Sequence, residues 1–131
     1  MLQKIIILCF LILSASTAIC QTINCSKFRE GKFRIADTRA GVVTIAERKG
    51  NYQTESSEAL KAVVRFRINW QDNCTYTLRL DKIIRNENKI DFPSNMEVHV
   101  KIIETADNSY TQETSSSITN GTYKVVVYSI K

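Results

Sequence analysis

The chain has 131 residues, four cysteines and a formal net charge of +5. This length favours a single domain, and the basic side chains are scattered among carboxylates instead of forming a clustered stripe. Since nucleic-acid binding favours a basic face interleaved with exposed aromatic residues, we expect no nucleic-acid partner.

Residues 1–20 are typical of a cleavable export signal. Lys4 supplies a positive charge, an apolar run covers residues 5–13, and small residues follow it. The run is too short to cross a hydrocarbon layer of about 30 Å as a helix, so it is a targeting segment and not a membrane anchor. We expect residues 1–20 to be a signal peptide and residues 21–131 to form an exported domain, in the periplasm or outside the cell.

The end of this signal leaves the fate of Cys20 open. Cleavage after Ala18 or after Cys20 satisfies the small-residue rule. Lipid attachment at Cys20 is the alternative, and Ile19 disfavours it because a small residue is needed before a lipidated cysteine. Only that alternative predicts contact with a membrane, as an outer-membrane lipoprotein.

The remaining cysteines predict one disulfide. Cys9 leaves with the signal, so Cys25 and Cys74 remain as a pair in an exported chain, where thiols oxidise. This bond would close a loop of about 50 residues, which the chain-entropy model credits with roughly 4 kcal/mol. Two cysteines and the single histidine, His99, do not form a zinc ligand set. We therefore expect no metal site and no cofactor.

From Gly31 onward, apolar and polar side chains alternate with a period of two, the pattern of half-buried β-strands. Turn-forming pairs such as Gly50-Asn51 and Asn120-Gly121 separate these runs. A polar stretch at 82–95, which contains Pro93, is the one long interruption. The pattern predicts eight strands, at 32–37, 42–48, 52–57, 63–70, 74–81, 96–102, 110–116 and 123–130.

Eight sequential strands with short connections predict a single all-β domain, an antiparallel up-and-down meander that closes into a small lipocalin-like barrel. Such a barrel is filled by its own side chains or holds one small ligand. The central strands carry large inward residues such as Phe66, Ile68 and Leu78, so the core looks filled. The third and seventh strands are mainly polar, which predicts one apolar and one polar side, with room for a shallow or semi-open pocket.

Three segments carry a resemblance to a known family. They are Cys25-Ser-Lys-Phe-Arg-Glu-Gly31-Lys-Phe33, Arg48 with Tyr52-Gln-Thr-Glu55, and Asn69-Trp-Gln-Asp-Asn-Cys74-Thr-Tyr-Thr-Leu78. The chain resembles small exported proteins of Bacteroides- and Flavobacterium-type bacteria, which have no established activity. The label of a DNA topoisomerase subunit is sometimes attached to that family, but an exported domain of this size has no room for an ATPase or strand-cleavage domain. A bacterial source would leave three glycosylation sequons unused, at Asn24, Asn73 and Asn120.

A more distant resemblance lies at the start of the first strand. Gly31-Lys-Phe33 is similar to the Gly-x-Trp opening of lipocalins, with Phe in place of Trp. Lipocalins are barrels for small ligands, so this resemblance implies the same architecture. Neither resemblance implies any catalytic residue.

Four residues are candidates for ligand binding. A two-residue turn places Arg48 opposite Gln53 and diagonal to Glu55, and an Arg–Glu pair inside the barrel would bind a polar head group. An exposed cross-strand ion pair is the simpler interpretation, and we favour it. Trp70 is a candidate for recognition at the rim, although its alternation with Phe66 favours core packing beside the disulfide.

The sequence contains no catalytic pattern. His99 shares an outward strand face with Glu97 and Lys101, and neither a Gly-x-Ser-x-Gly elbow nor a glycine-rich phosphate loop occurs. We therefore expect no enzymatic activity. The leading hypothesis is an exported, non-enzymatic envelope protein, a β-barrel that binds another protein or a cell-envelope component. The alternative is a lipocalin-like carrier of a small apolar or amphipathic ligand.

Overall fold

Side-chain alternation along eight strands closes this chain into a barrel. The computed structural model describes residues 23–131, in which each strand is antiparallel to the next and the last pairs with the first. The predicted all-β up-and-down barrel is confirmed. The predicted signal peptide, with Cys20, lies outside the described residues. The elements are a 3-10 helix at Ser26–Phe28 and the strands β1 Gly31–Asp37, β2 Val42–Lys49, β3 Tyr52–Ser57, β4 Ala62–Trp70, β5 Thr75–Asn86, β6 Glu97–Thr105, β7 Ser109–Ser116 and β8 Thr119–Ile130.

Inward residues at alternate positions build the core. On β4, Ala62, Phe66 and Ile68 are buried, whereas Arg65 points outward and pairs with Asp81 of β5 at 2.6 Å. Burial of the apolar row supplies the driving force for folding, and exposed ion pairs of this kind add at most about 1 kcal/mol each. Within residues 23–131, no helix has the length and apolar character needed to span a membrane.

The N-terminal segment closes one end of the barrel. Cys25 and Phe28 are fully buried, and the Phe28 ring centroid lies 4.8 Å from that of Tyr110 and 6.4 Å from that of Phe33. Cys25 is bonded to Cys74, in the turn between β4 and β5, and their Cα atoms are 5.3 Å apart. We call this segment, with the buried Cys25 and Phe28, the N-terminal plug. The predicted disulfide is confirmed, and it fastens the plug to the barrel.

Two predicted strand boundaries differ from the structure by four residues or more. β5 continues to Asn86, so the long connection covers only residues 87–96. Register shifts between β4 and β5 explain the extension, because a bulge bends a strand while pairing continues beyond it. β8 begins at Thr119, and Gly121 lies inside the strand with a φ of +83° instead of forming the preceding turn.

Removing the disulfide is expected to destabilise the closed end. The double variant Cys25→Ser/Cys74→Ser loses a cross-link that spans 49 positions, so the free energy of unfolding should fall by about 4 kcal/mol in the chain-entropy model. Urea denaturation of the oxidised parent and of the variant measures the difference. The parent under reducing conditions should match the variant, and equal stability of all three samples would contradict the expectation.

Candidate functional site

The open half of the barrel is hollow. A cavity of about 360 Å³ lies between the strands, enough for roughly a dozen waters at about 30 Å³ each. Ala40, Leu60 and Met96 line it from the β1–β2, β3–β4 and β5–β6 connections, so it opens at the end opposite the N-terminal plug. The core that looks filled from the sequence is filled only in its closed half. Small and medium side chains near the mouth, such as Val42 and Thr44, leave the remaining space.

Most of the cavity wall is apolar. The apolar lining residues are Ile35, Ala40, Val42, Leu60, Phe66, Leu78, Met96, Val98, Val100 and Val125. The polar lining residues are Asp37, Thr44, Gln53, Glu55, Tyr76, Gln112, Thr114 and Tyr123. A concave apolar surface with a few placed polar groups is the usual composition of a small-molecule site.

The guanidinium of Arg48 is buried at the boundary between the cavity and the plugged half. Arg48 is 2% exposed, and its Cζ atom lies 4.5 Å from the Phe33 ring centroid. Nη1 donates to the Phe28 carbonyl oxygen at 2.8 Å, and Nη2 donates to the hydroxyls of Tyr76 and Tyr110 at 2.6 Å each. The interpretation of Arg48 as part of an exposed ion pair is therefore wrong, because its strand phase points inward.

Gln53 connects Arg48 to Glu55. The register places Arg48 directly opposite Gln53, as the turn length predicts. Arg48 Nε donates to Gln53 Oε1 at 2.6 Å, and Gln53 Nε2 donates to Glu55 Oε1 at 2.7 Å. Glu55 is half-buried and lines the cavity. The guanidinium and the carboxyl group are thus joined through the amide of Gln53.

A second branch runs from Arg48 to the opposite wall. The Tyr76 hydroxyl donates to Gln112 Oε1 at 3.4 Å, and Gln112 Nε2 donates to Thr114 Oγ1 at 2.9 Å. In a closed ring of eight strands, β3 and β7 are four strands apart and face each other. The prediction of one polar and one apolar side is therefore wrong. We call the row of hydrogen-bonded side chains that runs from Glu55 through Arg48 to Thr114 the polar belt, and its members are Glu55, Gln53, Arg48, Tyr76, Gln112 and Thr114.

Burial controls the protonation of the polar belt. Desolvation inside the barrel raises the pKa of Glu55 above its usual value of about 4.5, although the hydrogen bond from Gln53 and the charge of Arg48 act in the opposite direction. Desolvation also raises the pKa of the Tyr76 hydroxyl well above its usual value, so this group stays protonated and acts as a hydrogen-bond donor. Since an arginine side chain stays charged in proteins, the belt contains one fixed positive charge and one titrating carboxyl group.

The rim of the cavity carries a paired charge. Asp37 and Tyr123 both line the cavity. Arg39 donates to the two carboxylate oxygens of Asp37 at 3.3 and 3.0 Å, and its Cζ atom lies 3.6 Å from the Tyr123 ring centroid. The hydrogen bond from Arg39 lowers the pKa of Asp37. The rim carboxylate therefore stays ionised and already has a partner, unlike the titrating Glu55 below it.

Trp70 and His99 lie outside the cavity lining. The half-buried Trp70 ring packs 4.5 Å from Tyr76 between centroids, and the Arg29 guanidinium lies 4.6 Å from its centre. This position agrees with core packing near the disulfide. His99 is exposed, and its Nε2 atom lies 3.0 Å from a carboxylate oxygen of Glu97. Neither residue is placed to contact a molecule inside the barrel.

Sequence reasoning missed both tyrosines that hold Arg48. For Tyr76 a signal exists, because its strand phase points inward and a buried tyrosine hydroxyl usually has a hydrogen-bond partner. Tyr110 and Arg48 are 62 positions apart. No local pattern predicts such a contact, because it depends on closure of the barrel.

Comparison with known proteins gives no assignment. No protein-family model matches the chain, and no curated protein or solved structure is significantly similar to it. Within residues 23–131, no group of three or more His, Cys, Asp or Glu side chains is placed to hold a metal ion. The resemblances to exported bacterial proteins and to lipocalins stay predictions.

Replacing Arg48 is expected to destabilise the barrel strongly. Arg48→Leu leaves the hydroxyls of Tyr76 and Tyr110 and the Gln53 amide without their partner, so the free energy of unfolding should fall by about 3–5 kcal/mol. Arg67→Leu is the matched control, since the Arg67 side chain is 63% exposed and should change stability by less than about 0.5 kcal/mol. Urea denaturation measures both values, and similar small losses would contradict a stabilising role for the buried guanidinium.

The raised pKa of Glu55 predicts a pH-dependent stability. Because the folded barrel binds this proton more tightly than the unfolded chain, ionisation of Glu55 lowers stability as the pH rises from about 4.5 through the raised pKa. Glu55→Gln removes this effect, so its stability relative to the parent should increase over that window by up to about 1.4 kcal/mol per pH unit.

Urea denaturation between about pH 4 and pH 8 tests this expectation. Glu113→Gln is the matched control, because it makes the same change on the outward face of β7, away from the cavity. A Glu55→Gln curve that is parallel to the parent would show that Glu55 titrates in the folded barrel as it does in the unfolded chain.

Proposed function

We propose that this protein is a non-enzymatic carrier that binds one small amphipathic molecule inside its barrel. The observation that carries the proposal is the combination of an apolar cavity with the hydrogen-bonded polar belt at its inner end. A ligand would place its apolar part along the walls and its polar end against the polar belt. Its apolar part would gain roughly 25 cal/mol for each Å² removed from water.

The dimensions of the cavity support a small ligand. Its volume of about 360 Å³ lies at the lower end of the range of about 300–1,000 Å³ that is typical of small-molecule sites. The N-terminal plug blocks one end, and the mouth lies between loops at the other. One path of access therefore remains, and a molecule of more than modest size would extend beyond the mouth.

The chemistry of the polar belt supports binding over catalysis. Its members are an arginine, two glutamines, a tyrosine, a threonine and a carboxyl group, and each is engaged in hydrogen bonds within the described residues. A nucleophile with an adjacent general base is the usual requirement for covalent catalysis. We propose that the belt orients a ligand without transforming it.

Export remains part of the proposal. The Cys25–Cys74 disulfide supports it, because such bonds persist in oxidising compartments and are rare in the cytosol. The signal-like segment at residues 1–20 supports it from the sequence. We therefore place the carrier in the periplasm or outside the cell, with attachment to the outer membrane only if Cys20 is lipidated.

Protein or envelope binding by the outer wall is the second candidate function. Val126 and Tyr128 of β8 and Val43 of β2 are 40%, 49% and 38% exposed. In the strand register, Arg34 of β1 lies opposite Tyr128, and Ala36 of β1 lies opposite Val43. The exposed side chains of β8, β1 and β2 therefore share one outer face. Exposed apolar patches on such faces often mark interaction sites. The double variant Val126→Ser/Tyr128→Ser would abolish partner binding at this face and leave the cavity intact.

Filling the cavity is expected to weaken ligand uptake. The neutral fluorophore N-phenyl-1-naphthylamine serves as the probe, and a rise in its emission on addition of protein reports binding. Val125→Phe places a larger side chain in the cavity, so the dissociation constant should rise by about tenfold or more, equivalent to about 1.4 kcal/mol. Val126→Phe is the matched control, because the neighbouring residue carries the same change on the outer wall.

Two outcomes of this titration would contradict the carrier proposal. One is the absence of any emission change with the parent protein. The other is equal affinity in the parent, in Val125→Phe and in Val126→Phe, which would place the probe outside the barrel.

A further inference from the structure

Hydrogen bonding through the polar belt is directional, and Arg48 fixes the direction. Arginine carries five N–H donors and no acceptor. Gln53 therefore turns its oxygen toward Arg48, and its NH₂ group points onward to Glu55. An amide orientation that is ambiguous by shape alone is decided here by its partners. On the β3 side, the belt ends in a carboxyl group, which accepts.

The branch from Arg48 toward β7 ends in hydrogen-bond donors. Tyr76 accepts from Arg48, so its own proton is donated to Gln112 Oε1. The NH₂ group of Gln112 then faces Thr114 and donates to its hydroxyl oxygen. The Thr114 proton and the second N–H of Gln112 are left as donors on the β7 wall. Since β3 and β7 face each other, an acceptor and a pair of donors lie across one cavity.

Charge within the polar belt is already balanced when Glu55 is ionised. The fixed charge of Arg48 is matched by one carboxylate, joined to it through Gln53. A cationic head group would add a second positive charge beside the guanidinium and would leave the β7 donors without an acceptor. With Glu55 ionised, an anionic head group would place a second negative charge beside this carboxylate and would have no proton to donate to it. Either charge is unfavourable in a site that is shielded from water.

We infer that the ligand is a neutral amphipathic molecule whose buried head group is a hydroxyl or an amide, which donates to Glu55 and accepts from Thr114 and Gln112. Both groups combine a donor with an acceptor, which is the complement of the two walls. This inference rests on the proposed carrier function and specifies its ligand class. An apolar tail lies along the side chains above the belt and reaches toward the mouth.

A panel of four molecules with one tail tests the head group. Octan-1-ol, octanamide, octanoate and octylammonium are each titrated against the protein loaded with N-phenyl-1-naphthylamine at neutral pH, and displacement gives their affinities. The alcohol and the amide should bind about tenfold or more tightly than either ion, because a site built for hydrogen bonds discriminates strongly against a head group that leaves its polar atoms unpaired.

Two variants locate the effect. Thr114→Val removes a donor and keeps the shape, so affinity for octan-1-ol should fall by about tenfold, the equivalent of one hydrogen bond. Thr111→Val, on the outward face of the same strand, is the matched control and should leave affinity unchanged. Glu55→Gln leaves the Arg48 charge without its carboxylate, so the preference for octan-1-ol over octanoate should shrink by about tenfold.

The outcomes separate the two proposals. If the probe and all four molecules fail to bind, the carrier function fails. If the probe binds and is displaced most strongly by octanoate or by octylammonium, the carrier function stands and the inference of a neutral head group is overturned. Equal displacement by all four molecules also overturns it, because the polar belt would then take no part in recognition. The panel uses the parent protein, so a variant that fails to fold does not affect this decision.

Discussion

The buried guanidinium of Arg48 is the interaction on which the rest of the barrel depends. Removing such a charge from water is unfavourable by several kcal/mol unless hydrogen bonds and nearby charge compensate for it. Here the compensation comes from four oxygen acceptors and from the face of the Phe33 ring. These acceptors belong to the N-terminal plug and to strands β3, β5 and β7. One side chain therefore connects the N-terminal plug to three strands of the barrel besides its own.

This arrangement divides the barrel into two halves with different properties. Below Arg48, the rings of Phe28, Phe33 and Tyr110 pack together and the disulfide fastens the plug. Above it lies a cavity of about 360 Å³. A domain of this size buries a limited core, so a hollow half is tolerable only where the other half is well packed. The disulfide therefore stabilises the closed end of the barrel, which holds the polar belt in place.

The same guanidinium links stability to recognition. Because arginine only donates, every hydrogen bond that leads away from it has a fixed direction, and the two walls of the cavity end in opposite hydrogen-bonding character. A lysine in that position would present three donors from a single nitrogen atom and would lack the planar fork that reaches several acceptors at once. The polarity of the proposed ligand site is thus a consequence of how the buried charge is accommodated. It is not a separate feature added to the fold.

The amino-acid sequence by itself determined the strands, their order, the disulfide and the pairing of Arg48 with Gln53, because alternation, turn chemistry and cysteine count are local properties of the chain. Only the tertiary structure decided that Arg48 is buried, that β3 and β7 face each other, that Tyr76 and Tyr110 hold the guanidinium, and that the open half is hollow. These features arise when β8 pairs with β1 and closes the ring. Closure brings together residues far apart in sequence, and their distances and the volume left between them are properties of the assembled barrel that no local pattern contains.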